Sequence, residues 1–399
     1  MKNMSKIFNK NRILGFTYGF CMFLLMKPYF MWGQGRYQLL IVSIVSIISL
    51  FNLKKLEKSD LLIIPIFAML ILTLSIDSGN NLLGVFFSLT ILLFFITDRR
   101  KMLIYTECFK IVLVSFLVLS LINYFLVLFT VPLNYNLIEP LNPLKTGMYR
   151  QYSFLVFPNL SETNTLPRFC SVFDEPGVIG TFSSIILFSE RYNLRKVSNI
   201  ILFMAGVFSF SLFFTIISFL AILYFYKNKV RLIVVAIVLI TFFTTRSNPL
   251  VYASVWERFE IENGHLKGDN RSSDELDRYY NQFINSDQFL WGKGNLVFAT
   301  SSSYKQFIIF YGLINSLIIM SILLCFAIQY NKNVKGVFLS ILLLFFLIYQ
   351  RPYIFDFAYM FLIVYSFIHI NRSFDLKRMD LRLNKLRIKM KIKPNSNRQ

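Results

Sequence analysis

Charged residues and histidine are both scarce in this chain of 399 residues. Only 16% of the residues are charged, whereas a soluble domain is about a quarter charged, and this excludes a water-soluble globular fold. Neither of the two histidines, His265 and His369, is followed by aspartate at the fifth position, so the HxxxxD acyltransferase pattern is absent. The HExxH zinc motif, the Walker A loop and the DxD string are absent as well.

Cysteine is rare too, and its spacing excludes the usual cysteine-based sites. The four cysteines are far apart, at positions 21, 108, 170 and 325. They offer neither a disulfide framework nor a CxxC pair for zinc. The sequence therefore predicts no metal site and no cofactor.

Apolar residues dominate instead and fall in long blocks. They make up 55% of the chain, with 45 phenylalanines, and such blocks are typical of repeated membrane spans. They predict an all-α, polytopic integral membrane protein with about 12 transmembrane helices and two long extracytoplasmic loops. The predicted segments are helices 1–5 in 1–131, a first long outer loop in 132–176, helices 6–9 in 177–245, a second long outer loop in 246–303, helices 10–12 in 304–370 and a basic cytoplasmic tail in 371–399.

One apolar block is too long for a single span. Residues 198–226 would form a helix of about 44 Å at roughly 1.5 Å per residue, against a hydrocarbon core of roughly 30 Å. Arg195 precedes the block and Lys227 follows it, which places both of its ends in the cytoplasm by the positive-inside rule. We therefore predict a hairpin of two helices that turns near Ser209–Phe210–Ser211, with both chain termini in the cytoplasm.

The net charge of +21 follows the same topology. Most basic residues fall in the predicted cytoplasmic segments, and ten of them lie between Arg372 and Arg398. Such charges set orientation and contact anionic membrane lipids, so they do not predict binding to nucleic acid. The tail is either a basic amphipathic helix on the inner leaflet or a disordered extension.

The first long loop ends in a string that joins an arginine to two carboxylates at the start of an apolar helix. The string begins at Arg168 and contains Asp174, Glu175 and Pro176, and proline suits the first turn of a helix. One interpretation is an ordinary helix cap with favourable dipole placement. The other is a carboxylate beside an arginine at the bilayer edge, where the carboxylate acts as a base and cations stabilise a departing pyrophosphate.

The second long loop carries arginines and a glycine turn. Arg271 and Arg278 are seven residues apart, so on a helix they project to one side, and guanidinium groups suit phosphate oxygens. Most basic residues of this loop could instead pair with the loop's own carboxylates, and Arg258 is a weaker candidate for the same arginine cluster. The string Gly292–Lys293–Gly294 predicts a tight turn that lets backbone amides approach a ligand.

Charged residues also lie near predicted span ends, at Lys27, Arg351 and Asp356. An ionisable group at membrane depth is a functional candidate by default. So close to the interface, however, we expect mutual pairing or extension of the side chain towards water to explain these three.

Two of these strings resemble a known family when taken together. An RF..VF.EPG string enters a helix at 168–177, and an arginine-bearing segment leads to the WGKG string at 291–294. Over residues 165–315 the chain resembles the O-antigen polymerase (Wzy) family, within the O-antigen polymerase and ligase superfamily. Ligases of this superfamily usually carry a histidine where this chain has Ser302–Ser303–Tyr304, which favours a polymerase.

The resemblance implies a GT-C-like glycosyltransferase architecture and a set of roles. The substrates would be undecaprenyl-pyrophosphate-linked oligosaccharide repeat units, joined at the outer face of the bacterial cytoplasmic (inner) membrane with release of undecaprenyl pyrophosphate. Chain-length regulator and flippase proteins are implied partners. Arg168 with Arg271 or Arg278 would stabilise the pyrophosphate, and Glu175 would activate the acceptor hydroxyl or orient an arginine. The residues expected to contact substrate are Arg258, Gly292, Lys293 and Gly294.

Other classes also fit the hydropathy. A lipid-linked oligosaccharide flippase suits the predicted number of spans, but a transporter should show related halves and short loops on both faces, and the sequence has no internal repeat. A non-catalytic polysaccharide-assembly partner would need loop contacts and no clustered arginines. A ligase-like transferase stays an alternative within the superfamily.

Overall fold

The computed structural model describes residues 2–77, 82–140, 147–158, 167–252, 256–257, 260–262, 265–266, 274–293, 303–331, 333–352 and 354–372. This part of the chain is mostly helical, as the sequence predicts. The helices are α1 (Lys2–Leu25), α2 (Gly35–Leu50), α3 (Lys58–Asp77), α4 (Leu82–Thr90), α5 (Leu93–Ile96), α6 (Arg99–Leu128), α7 (Pro176–Ser189), α8 (Val197–Phe208), α9 (Leu212–Phe225), α10 (Asn228–Thr245), α11 (Pro249–Val251), α12 (Asp274–Phe283), α13 (Tyr304–Tyr330), α14 (Val334–Gln350) and α15 (357–372).

Both long loops contain short strands, which the all-α prediction did not include. The first loop holds an antiparallel sheet in the order β1-β2-β3, and the second holds the antiparallel pair β4-β5. The strands are β1 (Asn136–Ile138), β2 (Tyr149–Gln151), β3 (Val156–Pro158), β4 (Ile261–Glu262) and β5 (His265–Leu266). The three-stranded sheet is tied to the chain before α7, because the amide of Val156 donates to the carbonyl of Ser171 at 2.7 Å.

The long apolar block breaks where the sequence predicts. Helix α8 ends at Phe208 and α9 begins at Leu212, and Phe210 between them has φ 47°. The turn lies close against α7, since a Cβ added to Gly180 would be 2.3 Å from the Cβ of Ser211. The predicted hairpin of two helices is confirmed.

Helix α1 packs closely along α6 because two of its glycines face that helix. A Cβ at Gly19 would lie 2.5 Å from the backbone nitrogen of Phe109, and one at Gly15 would lie 2.9 Å from side-chain atoms of α6. Small residues four apart let two helix backbones approach in this way. Tyr18, between the two glycines, stacks on Tyr105 with the ring centroids 4.4 Å apart.

Contacts between distant helices sort the helix ends into two sets. At one end of the bundle, Glu175 before α7 meets Arg351 after α14 at 2.8 Å. At the other end, Gln329 near the end of α13 donates to Ser59 in the first turn of α3 at 3.0 Å. Both long loops extend from the first end, which we call the loop end.

Two helices of the described chain are long and apolar enough to cross a membrane. They are α6 and α13, and six further apolar helices are shorter. By length and composition, α6 and α13 indicate association with a membrane.

Candidate functional site

A cavity of about 360 Å³ opens among helix ends at the loop end. It lies between the C-terminus of α1, the N-terminus of α7, the C-terminus of α14 and the N-terminus of α15. We call it the charged cavity, after the charged residues that line it, which are Lys27, Asp174, Glu175, Arg351 and Asp356. Its volume falls within the range of small-molecule sites, about 300–1,000 Å³.

Glu175 occupies the N-cap position of α7 but does not use its side chain as a cap. Pro176 fills the first helical position, and no first-turn amide donates to the Glu175 carboxylate. Instead, Oε2 of Glu175 accepts a hydrogen bond from Nη2 of Arg351 at 2.8 Å. Glu175 therefore holds the predicted cap position at the start of α7, but its carboxylate pairs with Arg351 in the charged cavity and does not cap the helix.

Arg351 follows the last residue of α14 and is held from two sides. Its side chain is only 9% exposed, and its guanidinium carbon lies 6.0 Å from the centroid of the Tyr359 ring. Burial by itself lowers the pKa of Arg351, but the electrostatic effects of Tyr359 and Glu175 outweigh it and raise that pKa. Arg351 is thus a fixed positive charge in the wall of the cavity.

Lys27 and Asp356 form the second ion pair of the charged cavity, with Nζ and Oδ2 3.7 Å apart. Lys27 follows α1 in the left-handed conformation, with φ 58°, and its carbonyl accepts a hydrogen bond from the Trp32 indole at 3.1 Å. Asp356 also accepts from the amide of Ala358 at 3.0 Å. The Lys27 side chain is 43% exposed, so it is the accessible cation of the site.

The sheet in the first loop holds the backbone of Asp174, the other acidic residue of the string. The hydroxyl of Tyr149, on β2, donates to the carbonyl of Asp174 at 3.0 Å. The ring of Tyr149 also packs edge-on against Trp32, with the centroids 6.1 Å apart. The loop after α1 and the loop before α7 are thereby linked at the rim of the charged cavity.

Arg168, predicted to stabilise a leaving pyrophosphate, does not line the charged cavity. Its Nε donates to the carbonyl of Ser209 at 3.2 Å and its Nη2 to the carbonyl of Phe210 at 3.4 Å. These carbonyls belong to the turn between α8 and α9, where orphan acceptors at a helix C-terminus attract a cation. Burial lowers the pKa of Arg168. The structure places this arginine as an anchor of the hairpin.

The predicted groups of the second loop are placed elsewhere at the loop end. Arg278 lies on an exposed face of α12, outside the lining of the charged cavity. Lys293 places its Nζ 4.8 Å from the centroid of the Tyr279 ring. Arg258, Arg271 and Gly294 lie outside the described residues.

The turn at Gly292 lies close to protein backbone, and the ligand contact predicted for Gly294 falls outside the described residues. Gly292 has φ 90°, and a Cβ there would lie 2.5 Å from the backbone nitrogen of Gly312. Gly312 itself interrupts α13, with φ 75°. The amide of Lys293 donates to the carbonyl of Ile309 at 2.9 Å, and the amide of Ile314 donates to the carbonyl of Leu290 at 3.1 Å. The turn at Gly292 and Lys293 therefore packs against α13 at the point where Gly312 interrupts that helix.

From the sequence we expect Lys27, Arg351 and Asp356 to pair with one another or to extend towards water. The pairing is present, yet the pairs line one cavity together with Glu175. The signal for such a site is an ionisable residue at each of several helix ends that tertiary packing brings together. The sequence does not show which helix ends are neighbours.

Within the described residues no group of three or more His, Cys, Asp or Glu side chains could hold a metal ion. The chain matches no protein-family model, no curated protein and no solved structure. The resemblance to polysaccharide polymerases therefore rests on the sequence strings alone.

Proposed function

We propose that the chain is a polysaccharide polymerase of a bacterial cytoplasmic membrane, with about 12 transmembrane helices and both termini in the cytoplasm. It joins undecaprenyl-pyrophosphate-linked oligosaccharide repeat units and releases undecaprenyl pyrophosphate at the outer face, which is the loop end. The length and hydropathy of α6 and α13 support the membrane location. The strings at 168–177 and 291–294 support the substrate class.

The charged cavity is the observation that carries this proposal. Transfer of a sugar from a pyrophosphate needs a base for the acceptor hydroxyl and cations for the leaving group. Glu175 and Arg351 meet these two needs within one cavity. The positive end of the α7 dipole faces the same space, since Glu175 stands at the N-terminus of that helix.

In the proposed reaction the acceptor hydroxyl oxygen attacks the anomeric carbon of the donor chain. The new C–O bond forms as the bond from that carbon to the pyrophosphate oxygen breaks, and the pyrophosphate takes the electron pair. Glu175 accepts the hydroxyl proton. Lys27 and Arg351 stabilise the charge that develops on the pyrophosphate, Lys27 by direct approach because it is the more exposed of the two.

Purified protein in proteoliposomes, supplied with synthetic lipid-pyrophosphate-linked repeat units, tests the proposal. The expected product is a polymer ladder on a gel. Because a positioned general base contributes about 100-fold or more in rate, Glu175→Gln should reduce the initial rate of polymer formation at least that far. Arg351→Ala should abolish the ladder, and Arg278→Ala should reduce it less, since Arg278 lies outside the charged cavity.

Arg36→Gln is the matched control, because Arg36 is an exposed arginine in the first turn of α2 at the loop end and does not line the charged cavity. It should leave the ladder unchanged. The polymerase proposal fails if the wild-type protein makes no ladder but moves the lipid-linked sugar across the bilayer, which would identify a flippase. It also fails if Glu175→Gln and Arg36→Gln make polymer at the same rate.

A further inference from the structure

A second and larger cavity lies at the opposite end of α7, about 1440 Å³ in volume. It is formed by the chain after α7, the C-terminal turns of α9, the first turns of α10 and α14, and one side of α6. Seven lysine and arginine side chains line it against two carboxylates, Glu107 and Glu190. We call it the basic cavity, because this balance leaves an excess of five positive charges.

Glu190 is fully engaged within the protein. Its carboxylate accepts from Lys110 at 2.7 Å, Lys196 at 2.9 Å, Tyr365 at 2.9 Å and Asn199 at 3.2 Å. Burial raises the pKa of Glu190, but the charge of Lys110 and the hydrogen bonds from Lys110 and Lys196 outweigh burial and lower the pKa to about 2. This carboxylate holds Lys110 and Lys196 in place and does not neutralise the remaining cations.

Arg372, the seventh cation, pairs with Glu107, and the other four cations of the basic cavity belong to three separate segments. Arg191 and Arg195 follow α7, Arg231 lies in the first turn of α10 and Lys335 in the first turn of α14. Nη1 of Arg231 donates to Asn228 at 3.0 Å, whereas its Nε is buried without an acceptor among the described residues. Convergence of like charges from several elements costs free energy unless an anion neutralises them.

The turn that presents Arg191 is strained and firmly held. Arg191 and Tyr192 both have left-handed backbones, with φ 57° and 50°. The carbonyl of Tyr192 accepts from the hydroxyl of Tyr226 at 2.8 Å, and the Tyr192 hydroxyl lies 2.6 Å from Ser218 Oγ. Backbone strain of this kind persists where surrounding contacts over-determine it, and it is frequent at ligand clamps.

One side of the basic cavity is apolar and open. Ile111, Leu223 and Tyr224 line it and are 51%, 39% and 43% exposed. Because Ile111 lies on α6, which is long and apolar enough to span a membrane, this side faces the region where acyl chains would lie. The cavity thus offers an anion subsite that continues into an apolar surface.

We infer that the basic cavity binds a phosphate-bearing ligand, with Arg191, Arg195, Arg231 and Lys335 around the phosphate. Guanidinium groups pair with phosphate oxygens in a bidentate way, and several cations suit a group with more than one negative charge. The phosphate could be carried by an anionic lipid headgroup or by a soluble anion. The site is distinct from the charged cavity, and it does not depend on the proposed polymerase activity.

Equilibrium binding to the purified full-length protein in detergent tests this inference. Short-chain phosphatidic acid is the lipid probe, zwitterionic phosphatidylcholine of equal chain length is its control, and sodium pyrophosphate is the soluble probe. We expect saturable binding of phosphatidic acid that weakens as salt is raised. Arg231→Gln combined with Lys335→Gln should weaken it at least about tenfold, since a hydrogen bond to a charged group contributes about that much.

Two further variants separate charge from general damage. Arg231→Lys with Lys335→Arg keeps both charges and should retain most of the affinity, and Arg36→Gln at the loop end should leave it unchanged. Competition by pyrophosphate at similar affinity would assign the site to a soluble anion, and failure to compete would assign it to a lipid headgroup. The inference is overturned if phosphatidylcholine binds as tightly as phosphatidic acid, or if the double glutamine variant binds normally.

Discussion

The guanidinium of Arg351 donates to the carboxylate of Glu175 at 2.8 Å, although 176 residues separate the two in sequence. The partners differ in burial, since the side chain of Arg351 is 9% exposed and that of Glu175 is 33% exposed. Loss of the carboxylate leaves a buried cation, whereas loss of the arginine leaves a carboxylate that water already reaches. The two halves of this pair should therefore respond differently to substitution.

Glu175→Leu should lower the free energy of unfolding by about 2 kcal/mol or more, because it removes the carboxylate partner of the buried Arg351 guanidinium. Arg351→Met should cost only about 1 kcal/mol, because the remaining carboxylate is partly hydrated. The double variant should recover most of the loss, as apolar replacements of buried ion pairs do. Denaturant titration in detergent measures all three. Equal costs for the two single variants would contradict the unequal burial.

Alanine at Gly292 should destabilise the second loop more than alanine at Gly147. Both glycines have left-handed backbones, with φ 90° and 93°, but a Cβ at Gly147 meets nothing within 4 Å. Gly147→Ala therefore costs only the conformational penalty, about 1–2 kcal/mol. Gly292→Ala adds a clash with the backbone of Gly312. Limited proteolysis should show faster cleavage within 274–293 for Gly292→Ala alone. Equal protection from protease in both variants would refute the close contact between Gly292 and Gly312.

Alanine at Gly19 should lower the melting temperature more than alanine at Gly15. The added Cβ at Gly19 meets the backbone of Phe109, which cannot move without shifting α6, whereas the one at Gly15 meets the side chains of Ile104 and Cys108. Overpacking of this kind typically costs about 1–3 kcal/mol. Thermal unfolding in detergent compares the two variants directly. A reversed order would show that α1 and α6 meet differently.

Acid should destabilise the protein through Glu190. Folding lowers the pKa of this carboxyl to about 2, from about 4.3 in an unfolded chain, so the unfolded state binds more protons between these values. The contribution of Glu190 to stability is therefore complete above about pH 4.3 and is lost as the pH falls towards about 2. Melting temperatures measured against pH should fall across this window.

The Glu190→Gln variant provides the control for that titration. It should melt lower than wild type at neutral pH, since Lys110 loses its carboxylate partner at 2.7 Å. Its melting temperature should also vary less between about pH 4 and pH 2, because the titrating group is gone. Parallel curves for variant and wild type would assign the acid transition to other groups.

Single cysteines test the proposed orientation in the membrane. Ser153→Cys lies in the first long loop and Asn228→Cys at the first residue of α10, and both positions are exposed. A membrane-impermeant maleimide should label position 153 in intact cells and position 228 only after permeabilisation. The native cysteines Cys21, Cys108 and Cys170 are buried and Cys325 is half-buried, so the protein without an added cysteine measures the background labelling. Labelling of both positions from the same side would refute the topology.

Local features of the fold could be predicted because their causes are local. The turn at Ser209–Ser211 follows from a block too long for one span with basic residues at both ends. The start of α7 at Pro176 follows from a residue type suited to that position. The glycines at 15 and 19 also carried a readable signal, since small residues four apart favour close packing of helices.

Other features depend on which distant elements become neighbours. Tertiary packing determines the pairing of Glu175 with Arg351 and the contact of Gly292 with Gly312. The local spacing of residues does not indicate either contact. The three-residue strands of the first loop are too short to show a period of two. Arg168 attracts Glu175 electrostatically, but the hydrogen bonds of its guanidinium to the α8–α9 turn could not be read from its nearness to Glu175 in sequence.

The contact between the Gly292 turn and α13 also sets the order in which parts of the protein can assemble. Gly312 follows Gly292 by 20 residues, so a ribosome makes α12 and the turn before the helix on which they rest. Leu276 and Phe283 of α12 are likewise buried against Ile309 of α13. The segment 274–293 cannot form these contacts until α13 has been synthesised and has packed against the other helices. Its protection from protease in a growing chain would therefore mark the moment when the last third of the protein has assembled.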